Sequence, residues 1–113
     1  MIEGFYRIAF TGAAGSGFGI LVLCKGAVAG ADVAGGTYDG SYKEQKDTIE
    51  LNVTMRAPAG VALVQNGIPL TVPIALPFKT SLPHDLGSGT PILVNMPPGP
   101  VNVVFVKISD FPV

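Results

Sequence analysis

The stretch that decides the fold is Gly36–Arg56, GTYDGSYKEQKDTIELNVTMR. Its second half alternates without a break. Ile49, Leu51, Val53 and Met55 fall on one face, and Thr48, Glu50, Asn52, Thr54 and Arg56 on the other. That is the period of a strand buried on one side and wet on the other. Its first half, Thr37–Lys43, sets Tyr38, Gly40 and Tyr42 on one face. Between the halves lies Lys43-Glu44-Gln45-Lys46-Asp47, the densest charge cluster in the chain. The pattern predicts two long antiparallel strands joined by a charged turn.

The same reading extends in both directions. Ile2–Thr11 reads as a first strand with Gly4, Tyr6, Ile8 and Phe10 on one face. The loop from Gly12 to Gly17 turns the chain into Phe18–Lys25, a strand apolar on both faces. Lys25-Gly26-Ala27 turns it again, and Val28–Ala34 is a strand of small residues. Beyond Arg56, Val61–Gln65 reads as a short strand or as part of a longer excursion, before the hairpin signal Asn66-Gly67. Ile68–Phe78 alternates like a strand, but Pro69, Pro73 and Pro77 place it at an edge or an opening of the sheet. Lys79–Gly89 reads as a polar loop, Thr90–Met96 as a short strand and Val101–Ile108 as a last strand apolar on both faces.

These are about eight short strands with no helix of three turns, in one all-β domain over residues 1–113. A sandwich and an up-and-down barrel both fit. Short consecutive turns favour neighbours in sequence as neighbours in the sheet, hence the antiparallel barrel.

Composition narrows the function. A net charge of -1 gives no electrostatic case for nucleic acid or an anionic membrane surface. Only 13% of residues are charged while 48% are hydrophobic, so one outer face is expected to be covered by a second copy or a partner. The uncharged stretches 57–78 and 86–106 are long enough to span a bilayer, but repeated prolines rule out an uninterrupted helix. Residues 8–24 lack the positive start of a signal peptide and carry Gly12, Gly15, Gly17 and Gly19. A soluble, cytoplasmic protein is the expectation. Cys24, the single cysteine, lies in an apolar strand and reads as a small buried hydrophobe.

No catalytic set stands out, so no enzyme activity and no cofactor is expected. Thr11–Gly19, TGAAGSGFG, lacks the Lys-Ser/Thr of a phosphate loop and runs into a strand instead of a helix. His84-Asp85, near Ser81 and Ser88, has no nucleophile elbow and reads as a solvated loop. One His and one Cys far apart make no zinc site. Two surfaces remain as candidates. The turn Lys43, Glu44, Gln45, Lys46 and Asp47 is a candidate partner contact. Tyr6, Phe10, Phe18, Tyr38, Tyr42 and Phe105 are candidate linings of a cavity for a small apolar ligand, although aromatics at strand period also simply fill a barrel.

The opening residues Ile2, Glu3, Gly4, Tyr6 and Phe10 form a pattern with Gly17, Gly19, Ile20, Leu21, Gly26, Gly30, Asp32, Tyr38 and Gly40. This pattern, over residues 1 to about 55, resembles the GrlR-like family, small bacterial proteins similar to the negative regulator of type III secretion gene expression. The resemblance implies an eight-stranded calycin- or lipocalin-like barrel, a homodimer, no enzyme activity, and regulation by sequestering a transcriptional activator. It also implies an acidic contact run just after the Tyr-x-Gly strand. The corresponding positions here are Lys43–Asp47, of which Glu44 and Asp47 are acidic.

The face assignment of the central strand is directly testable. Leu51→Asp is expected to unfold the domain, because it sets an unpaired carboxylate in the core. Glu50→Ala is expected to leave the thermal midpoint nearly unchanged. Comparable midpoints for the two variants would overturn the assignment.

Overall fold

The computed structural model describes residues 2–110. The chain forms β1 (Gly4–Gly12), β2 (Gly15–Cys24), β3 (Ala27–Asp32), β4 (Thr37–Glu44), β5 (Thr48–Ala57), β6 (Ile74–Pro83), β7 (Ile92–Met96) and β8 (Gly99–Asp110). All ladders are antiparallel, in the order β6-β5-β4-β3-β2-β1-β8-β7. That order is an up-and-down barrel cut between β6 and β7. It agrees with the all-β barrel expected from the sequence. Among the described residues there is no helix, and so none long and apolar enough to cross a membrane.

The seam falls where the prolines are. Pro77 and Pro83 lie in β6, and Pro91 and Pro97 flank β7. Proline has no N–H to donate, so a strand carrying it belongs at a sheet edge. Near the lower end, residues 87–89 take up the position beside β8 that β7 leaves vacant. The Gly89 amide donates to the Phe105 carbonyl and the Lys107 amide to the Gly87 carbonyl.

Alternation fixes which side chains point inward. Ile49, Leu51, Val53 and Met55 of β5 are all buried, while Glu50, Asn52 and Arg56 are exposed. The ladder Tyr38↔Met55, Gly40↔Val53, Tyr42↔Leu51 brings the inward face of β4 against them. In β2 the pattern that sequence left open is resolved. Leu21 and Leu23 point in, and Phe18 and Ile20 point out. The register Ile8↔Gly19 and Ala9↔Phe18 imposes this, because Ile8 is buried and Ala9 exposed.

Three inward glycines allow the sheet to curl. A Cβ on Gly40 would lie 2.1 Å from the Asn52 carbonyl oxygen, one on Gly19 2.2 Å from that of Ala31, and one on Gly30 2.5 Å from that of Ile20. Only a residue without a side chain lets β2, β3, β4 and β5 approach so closely on the concave side. The Lys25-Gly26 turn has positive φ at both positions, 50° and 82°. That geometry matches the twist of a two-residue hairpin. The Glu3 carboxylate accepts the Lys25 amide and helps to hold a lysine in this unusual conformation.

The two ends of the barrel are built differently. At the lower end Tyr6, Leu23, Ile49 and Leu82 are fully buried, with Ile2, Val28, Leu86 and Phe105 around them. Each such apolar side chain contributes roughly 1.5–3 kcal/mol on burial. The Tyr6 hydroxyl donates to the Ile2 carbonyl, so its polar tip is satisfied. At the upper end a separate cluster gathers Met55, Ala57 and Leu63 with half-buried Val61, Leu70, Ile74, Leu76 and Met96.

One open alternative is settled and two local expectations are corrected. Val61–Gln65 is not a strand. It belongs to an excursion, residues 58–73, which has an isolated Ala62↔Pro69 bridge flanked by the Gly60 and Leu70 amides donating to the Leu70 and Val61 carbonyls, and Asn66-Gly67 turns the chain there. β6 starts at Ile74, not Ile68, and continues through Lys79–Pro83, which polarity had marked as loop. Pro69 and Pro73 prevent the earlier start, while Thr80 and Leu82 continue the inward alternation opposite Leu51 and Ile49. Cys24 is half-buried, not buried, because it falls on the outward phase of β2.

Candidate functional site

The upper half of the barrel is hollow. A cavity of about 180 Å³ lies between the β5 face (Leu51, Val53, Met55), the β8 face (Val101, Val103, Phe105) and the β1–β2 wall (Ile8, Phe10, Leu21). The excursion 58–73 crosses this end. Its Val64 carbonyl accepts the Ala14 amide from the β1–β2 turn, and the Gln65 amide group approaches the Met96 sulfur beside the β7–β8 turn. The excursion thus connects both flanks of the barrel mouth, with Val61, Leu63 and Val64 as its apolar contribution to the lining. Connections of this length without strands of their own are commonly binding loops or lids.

The site follows from the strand period. Inward positions near the upper ends include Gly17 and leave space between Phe10, Tyr38, Phe78 and Phe105, whereas the lower ends close on Tyr6, Leu23, Ile49 and Leu82. Gly17 is the clearest case. A Cβ there would meet the Phe10 ring at 2.7 Å, so the missing side chain lets that ring lie flat along the wall.

Among the described residues, one charged side chain lines the cavity, Asp32 at the end of β3. Its Oδ1 accepts the amides of Ala34 at 3.1 Å and Gly36 at 2.9 Å, which closes the β3–β4 turn. Its Oδ2 accepts the Tyr38 hydroxyl at 2.6 Å. Burial, then the hydrogen bond to Asp32 and its negative charge, raise the Tyr38 pKa well above the usual tyrosine range. Tyr38 is therefore a fixed neutral donor at any ordinary pH.

Of the aromatic residues singled out in the sequence, Phe10, Tyr38 and Phe105 line this cavity. Tyr6 and Tyr42 also face inward but belong to the packed lower half. Phe18 is corrected: it is 59% exposed on the outer face, because its partner Ala9 points outward. Asp32, Met55, Leu63 and Val64 were not singled out as cavity residues. The available signal was Asp32 placed before Gly35-Gly36, across that turn from Tyr38. The excursion residues gave none, because their approach depends on the barrel being closed beneath them.

The charged turn lies at the opposite end from the cavity. Lys43, Glu44, Gln45, Lys46 and Asp47 are all exposed. The Gln45 amide donates to the Thr48 carbonyl, and His84 Nε2 lies 2.7 Å from the Gln45 carbonyl oxygen. Ser81 donates to Glu50, and Ser88 is bonded with Thr90. Neither serine is paired with His84. Among the described residues no group of three His, Cys, Asp or Glu could hold a metal ion.

Compared with protein-family models, with curated proteins and with solved structures, the chain has no match in any of the three.

Tyr6 gives a pH test of the packed end. Burial, then the nearby Tyr42 and Asp110, push its pKa up to about 12 from 10.0. In the unfolded chain it ionises near its ordinary value. The stability it contributes is therefore complete below about pH 10 and is lost as pH rises through about 12, a loss of roughly 2–3 kcal/mol. Tyr6→Phe is expected to be less stable at neutral pH by about 1 kcal/mol, for the lost hydrogen bond. It should also show a smaller decline above pH 10 than the parent, read by urea unfolding. Equal declines in the two proteins would exclude Tyr6 as the source.

Proposed function

We propose that this chain is a binding protein that holds a small apolar ligand in the upper half of its barrel. One observation carries the reading: a barrel interior that is packed solid at one end and hollow, apolar and lined by residues of all eight strands and a connecting loop at the other. An apolar cavity of about this size is dry and accepts a single-ring or short-chain molecule. The wall carries few polar groups, the usual composition of a small-molecule site. A binding role is favoured over catalysis because the cavity's polar pair, Asp32 and Tyr38, is bonded to itself and to its own turn.

Toluene is a suitable probe. Saturating toluene is expected to raise the thermal midpoint by a few degrees and to shift the methyl resonances of Met55 and Met96. Val103→Phe, whose ring enters the cavity, should abolish both effects. Unmoved Met55 and Met96 methyls would sink the proposal.

A second reading, contact with another protein chain, is supported by the outer face of β2. Phe18 and Ile20 are exposed there, 59% and 42%. They are paired across the strands with Ala9 and Ala31, and the Val33 amide donates to the Phe18 carbonyl at the adjoining turn. Arg7 is the charge among these cross-strand neighbours, opposite Ile20. Such a face suits a second copy of the chain, in keeping with the homodimer that the GrlR-like resemblance implies. The turn Lys43–Asp47 supports partner binding less well, since Lys43 and Lys46 offset Glu44 and Asp47 for any basic partner. Ile20→Lys is expected to convert the dimer to a monomer in sedimentation equilibrium with folding unchanged. A monomeric parent protein would remove this reading.

A further inference from the structure

Building on the ligand-binding proposal, we infer that the cavity selects ligands by their polar end, accepting an amine or another hydrogen-bond donor at Asp32 and disfavouring a carboxylate. The selection follows from three features of the rim.

The first is the charge inventory. Among the described residues that line the cavity, Asp32 is the charged one, and none is Lys, Arg or His. Arg56, next in sequence to the lining residue Ala57, is exposed and tied to Asp39 at 3.0 Å. An acyl carboxylate entering the cavity would lose water, find no cation and face a like charge.

The second is unfilled acceptor capacity. An ionised carboxylate has about four acceptor positions. Three are used, two on Oδ1 by the Ala34 and Gly36 amides and one on Oδ2 by the Tyr38 hydroxyl. Oδ2 retains one, at the cavity rim.

The third is access. A Cβ on Gly36 would lie 2.6 Å from Oδ2. Glycine at this position leaves that oxygen approachable. The neighbouring Val33 and Ala34 are exposed, so an ammonium at the rim keeps part of its hydration while its apolar body enters the cavity. Charge-assisted hydrogen bonds are the strong ones, and a half-buried setting screens them less than open water.

Toluene, benzylamine and benzoate share one ring and differ in the polar end, so they separate the cavity from its selectivity. Dissociation constants at neutral pH are read by NMR titration on the intact chain. Benzylamine is expected to bind about tenfold tighter than toluene, and benzoate weaker than either. Asp32→Asn, which keeps an acceptor for the turn amides, should erase the preference for benzylamine over toluene. Tyr38→Phe, which removes the competing donor on Oδ2, should keep the preference or enlarge it. Toluene binding with no gain for benzylamine, or with benzoate equal to it, overturns the selectivity while leaving the ligand cavity standing. Loss of the preference in Tyr38→Phe also overturns it. No binding of any of the three removes the cavity proposal itself.

Discussion

Tyr6, Leu23, Ile49 and Leu82 meet at the lower end of the barrel, and their mutual burial is the constraint on which the remaining structure depends. They come from β1, β2, β5 and β6, so one cluster ties the beginning, middle and far edge of the sheet to a common axis. With that end filled, the register of β1, β2, β5 and β6 is set, because a slip of one residue would turn each of these side chains to solvent. The curl needed to bring β6 round towards β7 comes from Gly19, Gly30 and Gly40, where strands pass too close for a side chain.

The same closure creates the hollow. Eight strands enclose a volume that side chains fill only if large ones occur at every inward level. Tyr6, Leu23, Ile49 and Leu82 close the lower end, while Gly17 and the spacing of Phe10, Tyr38 and Phe105 leave the upper end unfilled. The excursion 58–73 then covers the mouth, held by a backbone hydrogen bond at one flank and by Gln65 at the other. The seam between β6 and β7 is set by proline, which ends hydrogen-bond pairing without exposing a long row of unpaired amides.

Three surfaces of this barrel differ in what they can recognise. The interior offers apolar volume and, at Asp32, a hydrogen-bond acceptor. The outer face of β1–β3 offers apolar area with little charge. The Lys43–Asp47 turn offers mixed charge in full water, where ion pairs contribute least. The first is the only one with both shape and a positioned polar group, and so it carries the functional proposal.

Sequence by itself determined the all-β character and the inward face of the central strand, and its short consecutive turns favoured the barrel order over a sandwich. Alternation in residues 48–56 has one solution once one side must be dry, and Lys25-Gly26 and Asn66-Gly67 mark turns by local backbone preference alone. The prolines after residue 68 marked the open edge, though not where the strand beside it begins. Where both phases of a strand are apolar, as in Phe18–Cys24, composition gives no preference. Pairing with Ile8 and Ala9 decided that Phe18 points out. Polarity hid the strand Lys79–Pro83, which exists because its ladder with β5 continues. The cavity was legible only as scattered aromatics, of which Phe10, Tyr38 and Phe105 reach it. Its position, its cover and the exposure of Asp32 to it were decided by the tertiary structure. The reason is physical: a void is a property of how side chains from distant strands fail to meet, and no local pattern records it.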